Sequence, residues 1–108
     1  MSDSLQEFRE FRERMNERIL AADNLCIRRF FALDSRAYEE GALDARTKEL
    51  LGLVASMVLR CDDCILYHLI RCVEEGLTDE ELFDAMNVGL IVGGSIVIPH
   101  LRRSVDRL

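Results

Sequence analysis

The apolar residues of this chain recur at helical spacing over most of its length. From Leu5 to about Phe31 they follow one another at intervals of three and four, with Glu and Arg on the opposite side: Phe8, Phe11, Met15, Ile19, Ala22 and Cys26. This period predicts one long amphipathic helix whose apolar stripe is a packing surface. The next segment, Ala32 to Leu43, predicts a short connector or broken helix that ends at Gly41.

Capping residues mark the following helix boundaries. Asp44 is a suitable N-cap for a second helix from Ala45 to about Leu59. The apolar face of that helix holds Leu50, Leu53, Val54, Met57 and Val58. A third helix opens at a pair of cysteines and runs to about Glu75, where Gly76 ends it.

The carboxyl-terminal part of the chain predicts two more helices. Thr78-Asp79-Glu80-Glu81 is a capping box for a fourth helix. Its inward-facing residues are predicted to be Leu82, Phe83, Met86 and Leu90. Gly93-Gly94 breaks or bends the chain, and Ser95 to Leu108 predicts a last helix entered at Pro99. No stretch alternates strongly as a strand does, so the fold is predicted to be all-α, with about five to six helices in a single domain over residues 1–108.

Composition narrows the class of protein. The chain is 49% hydrophobic and 31% charged, which is typical of a globular domain, and its formal charge of −6 at pH 7 argues against a nucleic-acid partner or an anionic membrane surface. No apolar run is long enough to cross a membrane, and no secretory signal precedes the first charged residues, so we expect a cytoplasmic protein. Lys48 is the only lysine among many arginines, and arginine favours the paired contacts of oligomer interfaces.

Candidate chemistry is concentrated at Cys61-Asp62-Asp63-Cys64, which His68 follows one helical turn later. Two thiols at this spacing can close a disulfide. Cys64 and His68 share one helix face, so the imidazole can take a proton from that thiol or stabilise its thiolate. The amino end of the third helix also favours a thiolate. Cys64 is therefore the predicted nucleophile, and Cys61 the predicted resolving thiol.

Glu49 is the candidate third member of this group. It lies about three helical turns before Cys61, on a helix that must return antiparallel to the helix of the cysteines. A carboxylate near His68 would hold its tautomer and stabilise the imidazolium, as the acid of a catalytic triad does.

Metal binding is the main chemical alternative. Cys61, Cys64, His68 and Cys72 share a face, but Cys72 lies roughly 12 Å along the axis from Cys64 at a rise of about 1.5 Å per residue. A single zinc with bonds of about 2.0–2.3 Å cannot use all four. The remaining zinc hypothesis is a site with three ligands, Cys61, Cys64 and His68, in which Glu49 or water is the fourth. The favoured interpretation includes no metal and no cofactor.

The remaining cysteines and aromatic or imidazole side chains carry no predicted chemistry of their own. Cys26 and Cys72 are interpreted as buried small apolar residues. Tyr67 is predicted to pack beside His68, with lining of the substrate entry as the alternative. His100 has no assigned role, and its approach to the site, within one subunit or across a boundary, is left open.

These residues together resemble a known family. Glu49, the Cys61-x-x-Cys64 pair and His68, set within Leu43 to Leu51 and followed by Gly76-Leu77-Thr78, resemble the AhpD-like branch of the carboxymuconolactone decarboxylase family. The resemblance runs from about Gly41 to Leu108 and implies an all-helical subunit of an obligate homo-oligomer, a trimer or hexamer. It divides the single domain into a helical extension, residues 1–40, and a motif-bearing core, residues 41–108.

The redox members of this branch are thiol peroxidases. The resemblance therefore implies a peroxiredoxin-type antioxidant oxidoreductase in which Cys64 attacks a hydroperoxide and Cys61 resolves the product. Glu49 and His68 would relay protons, and an external dithiol would be the reductant. The decarboxylases of the family lack the cysteine pair, so the pair argues against lactone chemistry here.

One departure from the family pattern changes this expectation. The best-known peroxidase of the branch has a histidine between its cysteines, where this chain has Asp62 and Asp63. Two carboxylates beside the thiols disfavour thiolates, which predicts a more reducing couple and a slower peroxide reaction. A disulfide reductase or thiol relay therefore stays open as an alternative, followed by a non-enzymatic helical assembly protein and a zinc-binding protein.

Overall fold

Six α-helices and one short 3-10 turn make up the fold. The computed structural model describes residues 1–108, and it contains no strand. The helices are α1 (Asp3–Ala21), α2 (Leu25–Ala37), α3 (Ala45–Leu59), α4 (Asp62–Glu74), α5 (Asp79–Gly93) and α6 (Ile98–Arg107), with the 3-10 turn at Ser95–Val97. The all-α prediction is confirmed.

The predicted single helix from Leu5 to about Phe31 is wrong, because the chain breaks between α1 and α2. Asp23 adopts a left-handed φ of 55°, and the side chain of Asn24 caps α2 by accepting a hydrogen bond from the Ile27 N–H at 3.1 Å. Asp tolerates the left-handed conformation, and Asn binds a free N–H group at the start of a new helix. The first helix therefore ends here, although the apolar period of the sequence continues. The segment from Ala32 to Leu43, predicted as a connector or broken helix, is helical as far as Ala37, where α2 ends.

The predicted caps of the central helices are confirmed. Asp44 accepts the Thr47 N–H at 2.7 Å at the start of α3. Thr78 and Glu81 form a complete capping box at the start of α5, with bonds of 3.2 and 3.0 Å. The inward face predicted for α5 is wrong at Phe83, whose side chain is exposed.

The core lies where α3 packs against α4 and α5. Its buried apolar residues are Leu5, Leu53, Met57, Ile65, Leu66, Leu69, Ile70, Cys72, Leu77, Leu82, Met86 and Val97. Cys72 is buried as predicted, but Cys26 is exposed, because α2 carries no buried residue. No helix is both long enough and apolar enough to span a membrane.

A tight turn joins α3 to α4 and positions the cysteines. Arg60 takes the left-handed conformation, with φ at 60°, and the Cys61 N–H donates to the Ser56 carbonyl at 3.1 Å. This is the bond pattern that closes a helix with a left-handed residue, which is usually glycine. The turn makes Cys61 the N-cap of α4 and sends α4 back along α3.

Candidate active site

Cys61 and Cys64 form a disulfide at the amino end of α4. Their Cα atoms are 5.3 Å apart, within the usual range for this bond. The Cys61 sulfur accepts the Cys64 N–H at 3.3 Å, as an N-cap side chain does. Cys64 is exposed and Cys61 is half-buried, so an incoming reactant reaches Cys64 more readily.

His68 and Glu49, both predicted site residues, are in direct contact. Nδ1 of His68 lies 2.9 Å from Oε2 of Glu49, whose side chain is only 2% exposed. An ionised carboxylate can only accept a hydrogen bond, so Nδ1 carries the hydrogen. In the neutral ring, Nε2 then holds the lone pair and is the basic nitrogen, which is the arrangement of a catalytic triad.

Tyr38, on α2, is a site residue that the sequence did not reveal. Its hydroxyl lies 3.3 Å from Nε2 of His68, although the two residues are 30 positions apart in the chain. Burial, together with the nearby carboxylates of Asp34 and Glu49, raises the pKa of Tyr38. The phenol therefore stays protonated near neutral pH and donates to Nε2.

Gly52 creates the space that the imidazole occupies. It follows Glu49 by one turn on the buried face of α3. A Cβ at this position would lie 2.5 to 2.8 Å from three ring atoms of His68. The absence of a side chain therefore lets the imidazole lie against α3, a requirement that sequence spacing did not signal.

Arg71 neutralises the far side of the buried carboxylate. Its Nε lies 3.4 Å from Oε1 of Glu49, and its terminal nitrogens contact Glu74 and Glu75 at 3.3 and 3.2 Å. Burial lowers the pKa of Arg71, but the carboxylates of Glu49 and Glu74 outweigh it and raise that pKa. Each oxygen of Glu49 thus has a partner, which offsets the cost of burying the charge.

A cavity of about 330 Å³ opens onto the reactive side chains. Cys64, His68, Tyr38 and Tyr67 line it, and α1 supplies its apolar wall through Phe8, Phe11 and Met15. Tyr67 stands edge-on to His68, with the Arg12 guanidinium 3.8 Å above its own ring. Tyr67 therefore lines the cavity rather than only packing, and the amino-terminal extension forms part of the site.

Comparison with known proteins identifies the family. The model of the carboxymuconolactone decarboxylase family matches residues 27–106, which is most of the chain and begins within α2. The chain belongs to the carboxymuconolactone decarboxylase family.

Two curated relatives are themselves uncharacterised. A protein of the cox locus of Paracoccus denitrificans is 30% identical over 76 residues, covering 70% of this chain and 68% of that protein. A protein of Cupriavidus necator is 31% identical over 58 residues, covering 54% of this chain and 51% of the relative. Neither carries a described activity.

Solved structures of the family share the fold closely. Two crystal structures of the Thermotoga maritima protein TM1620 are 60% identical to this chain, with TM-scores of 0.91 and 0.88. The alignments cover 95% and 94% of this chain and 90% and 86% of that one, and involvement in an antioxidative response has been suggested for TM1620. A Legionella pneumophila family member shows the same fold at 23% identity and a TM-score of 0.86, covering 98% of this chain and 95% of that one.

In this member of the family, no group of three or more His, Cys, Asp or Glu side chains is arranged to hold a metal ion. Of the three residues of the zinc hypothesis, Cys61 and Cys64 are bonded to each other in this structure. Both ring nitrogens of His68 also have partners, Glu49 and Tyr38.

Proposed function

We propose that this protein is a thiol peroxidase of the AhpD-like branch, which reduces hydroperoxides through a redox-active Cys61/Cys64 pair. One observation carries the proposal: Cys64 of the disulfide-forming pair and His68, whose Nδ1 is bound by Glu49, line the same cavity. The antioxidative role suggested for the similar Thermotoga maritima protein supports it.

The first half of the proposed cycle oxidises Cys64. Nε2 of His68 takes the proton of the Cys64 thiol, and Glu49 stabilises the imidazolium. The thiolate attacks the nearer peroxide oxygen, so an S–O bond forms while the O–O bond breaks. The departing oxygen takes the proton held by His68. One thiol and one hydroperoxide thus become a sulfenic acid and an alcohol, or water where the substrate is hydrogen peroxide.

The second half of the cycle closes and reopens the disulfide. The Cys61 thiol condenses with the Cys64 sulfenic acid, forming the S–S bond and releasing water. An external dithiol then supplies two electrons and two protons, becomes a disulfide itself and regenerates both thiols. The short spacing of the two cysteines supports this step, because Cys61 needs no large rearrangement to reach Cys64.

A cytoplasmic homo-oligomer, a trimer or hexamer, is part of the proposal. Several large apolar side chains on α2 and α5 face outward and would be covered in such an assembly: Leu25, Phe30, Leu33, Val88, Ile91 and Val92. An exposed apolar surface of this kind favours association. Arginine-rich composition supports the same conclusion.

A disulfide reductase or thiol relay is the second candidate, and one observation favours it. Asp63 is exposed beside Cys64, lines the same cavity and makes no ion pair. Its negative charge opposes thiolate formation, which would slow attack on peroxide and make the dithiol a stronger reductant of other disulfides.

The test is oxidation of the fully reduced protein by one equivalent of hydroperoxide, followed by intact-mass measurement and peptide mapping. We expect loss of two hydrogens, located to a Cys61–Cys64 disulfide. Cys64→Ser should abolish peroxide consumption, and Cys61→Ser should leave a sulfenic acid that a dimedone probe traps. Cys26→Ser, at an exposed thiol outside the site, is the matched control. Full peroxide consumption by Cys64→Ser would overturn the mechanism.

A further inference from the structure

Asp62, between the two cysteines, is bound by the last helix. Nδ1 of His100 lies 2.7 Å from Oδ1 of Asp62, and a terminal nitrogen of Arg103 lies 3.3 Å from Oδ2. Both partners come from α6, which packs on α4. A carboxylate only accepts, so His100 donates from Nδ1. Each oxygen of Asp62 is thus engaged by α6.

The neighbouring carboxylate is treated differently. Asp63 is exposed and contacts no cation. Asp62, in contrast, is bound by His100, whose side chain is only 17% exposed. The charged groups around the cleft between α4 and α6 are Asp62, Asp63, Arg103 and Arg107. Of the two aspartates beside the thiols, only Asp62 is therefore bound by side-chain donors of α6.

We propose that His100 and Arg103 are positioning residues that raise the redox potential of the Cys61/Cys64 couple by offsetting the charge of Asp62. The inference rests on the redox pair of the proposed function, but it does not require that the oxidant be a peroxide. It assigns His100 a role in setting the redox potential of the Cys61/Cys64 couple, separate from the proton transfer at His68.

The physical argument concerns the reduced state. Reduction breaks the Cys61–Cys64 bond with two electrons and leaves thiols, of which a fraction is thiolate at the amino end of α4. A carboxylate next to Cys61 disfavours that thiolate and hence the reduced form. His100 and Arg103 donate hydrogen bonds to this carboxylate and so weaken the effect of its charge on the sulfur. The reduced form is then disfavoured less. A couple whose reduced form is stabilised is more oxidising.

The experiment equilibrates the whole protein with mixtures of reduced and oxidised dithiothreitol, which exchanges two electrons with the cysteine pair. The fraction of disulfide is read by alkylation and mass. His100→Leu should lower the equilibrium constant for reduction about tenfold, which corresponds to about 30 mV for a two-electron couple. Asp62→Asn should shift the constant in the opposite direction. In the Asp62→Asn background, His100→Leu should change it less than about twofold, because the charge it acts on is gone.

Matched variants guard against loss of folding. His100→Gln keeps an N–H donor and should retain part of the effect. Arg103→Gln should give a smaller shift than His100→Leu, since Arg103 is more exposed and water screens it. Arg102→Gln removes a charge from the same helix without touching Asp62 and should leave the constant unchanged.

Two results would overturn the inference, and they differ from failure of the proposed function. An equal shift by His100→Leu with and without Asp62 would show that His100 does not act through the aspartate. No shift in any variant would show that α6 does not set the potential. A protein that titrates normally but consumes no peroxide would refute the peroxidase alone, and a wild-type protein without a Cys61–Cys64 disulfide would refute the redox pair itself.

Discussion

The hydroxyl of Tyr38 lies 3.3 Å from Nε2 of His68. In the disulfide form Cys64 carries no hydrogen, so the phenol supplies the donor that the basic nitrogen would otherwise lack. Tyr38 thus holds the ring from the side opposite Glu49, and two helices distant in sequence fix one imidazole.

Replacing Tyr38 tests this arrangement. We expect Tyr38→Phe to lower the rate constant for reaction of the reduced protein with hydroperoxide about tenfold. Once Nε2 has taken the Cys64 proton, the Tyr38 oxygen accepts from the imidazolium; such a hydrogen bond to a charged group is worth about 1.5 kcal/mol or more, and about 1.36 kcal/mol is a factor of ten. Stopped-flow measurement of thiol loss gives the rate. Tyr67→Phe is the control, because the Tyr67 ring contacts His68 edge-on and its hydroxyl does not bond the ring nitrogens. Equal rate losses in both variants would contradict a specific role for Tyr38.

Gly52→Ala should lower both stability and activity. Ala is normally preferred to Gly inside a helix by about 1 kcal/mol. Here the added methyl group would overlap the His68 ring, and overpacking of this kind costs about 1–3 kcal/mol. Urea unfolding measures the free energy of unfolding. Gly41→Ala, whose added Cβ would meet only Lys48 Nζ at 3.5 Å, is the control; a more stable Gly52→Ala protein would show that the ring is free to move away.

Glu49→Gln should slow the peroxide reaction without unfolding the protein. The amide keeps an oxygen near Nδ1 but no longer stabilises the imidazolium, so we expect a loss of about a hundredfold, within the range for a general base. Glu74→Gln is the matched control: it also removes a carboxylate from Arg71, yet it does not contact His68. The assay is the pH profile of thiol oxidation, and comparable losses in the two variants would mean that Arg71, rather than His68, is the relevant partner.

Cys72 should resist alkylation while the other thiols react. Burial is the main cause that raises the pKa of Cys72 from 9.0 to about 12, and the nearby Glu49 adds to it. Only about one molecule in ten thousand then carries the reactive thiolate at pH 8. Iodoacetamide followed by peptide mapping of the reduced, folded protein measures the reaction. The rate of alkylation at Cys72 should rise with pH up to about 12, and prior unfolding in urea should abolish the protection. Rapid labelling of Cys72 in the folded protein at pH 8 would contradict the burial.

The sequence predicted the parts of this structure that depend on local chemistry. Asp44 and Thr78 start helices where their side chains find free backbone N–H groups a few residues away. Spacing made Glu49 only a candidate partner of His68; the two are in contact because a tight turn joins α3 to α4 and brings the two helices side by side.

Contacts between distant segments could not be predicted in this way. Tyr38 reaches His68 only because α2 begins afresh after Asp23, a break that the continuous apolar period concealed. His100 meets Asp62 across 38 residues, at a distance that depends on how α6 packs on α4. Side chains brought together by packing rather than by spacing leave no periodic pattern to detect.

The unequal exposure of the two sulfurs has a consequence for turnover. A reductant that attacks the exposed Cys64 sulfur expels the Cys61 sulfur as the leaving group. Cys61 leaves as a thiolate, which the helix amino end and the Cys64 N–H stabilise. In the proposed cycle the oxidant reacts with the same Cys64 sulfur. Oxidant and reductant must therefore occupy one entrance in alternation, and no complex holding both can form. Turnover then follows ping-pong kinetics, in which an excess of either reactant delays the other.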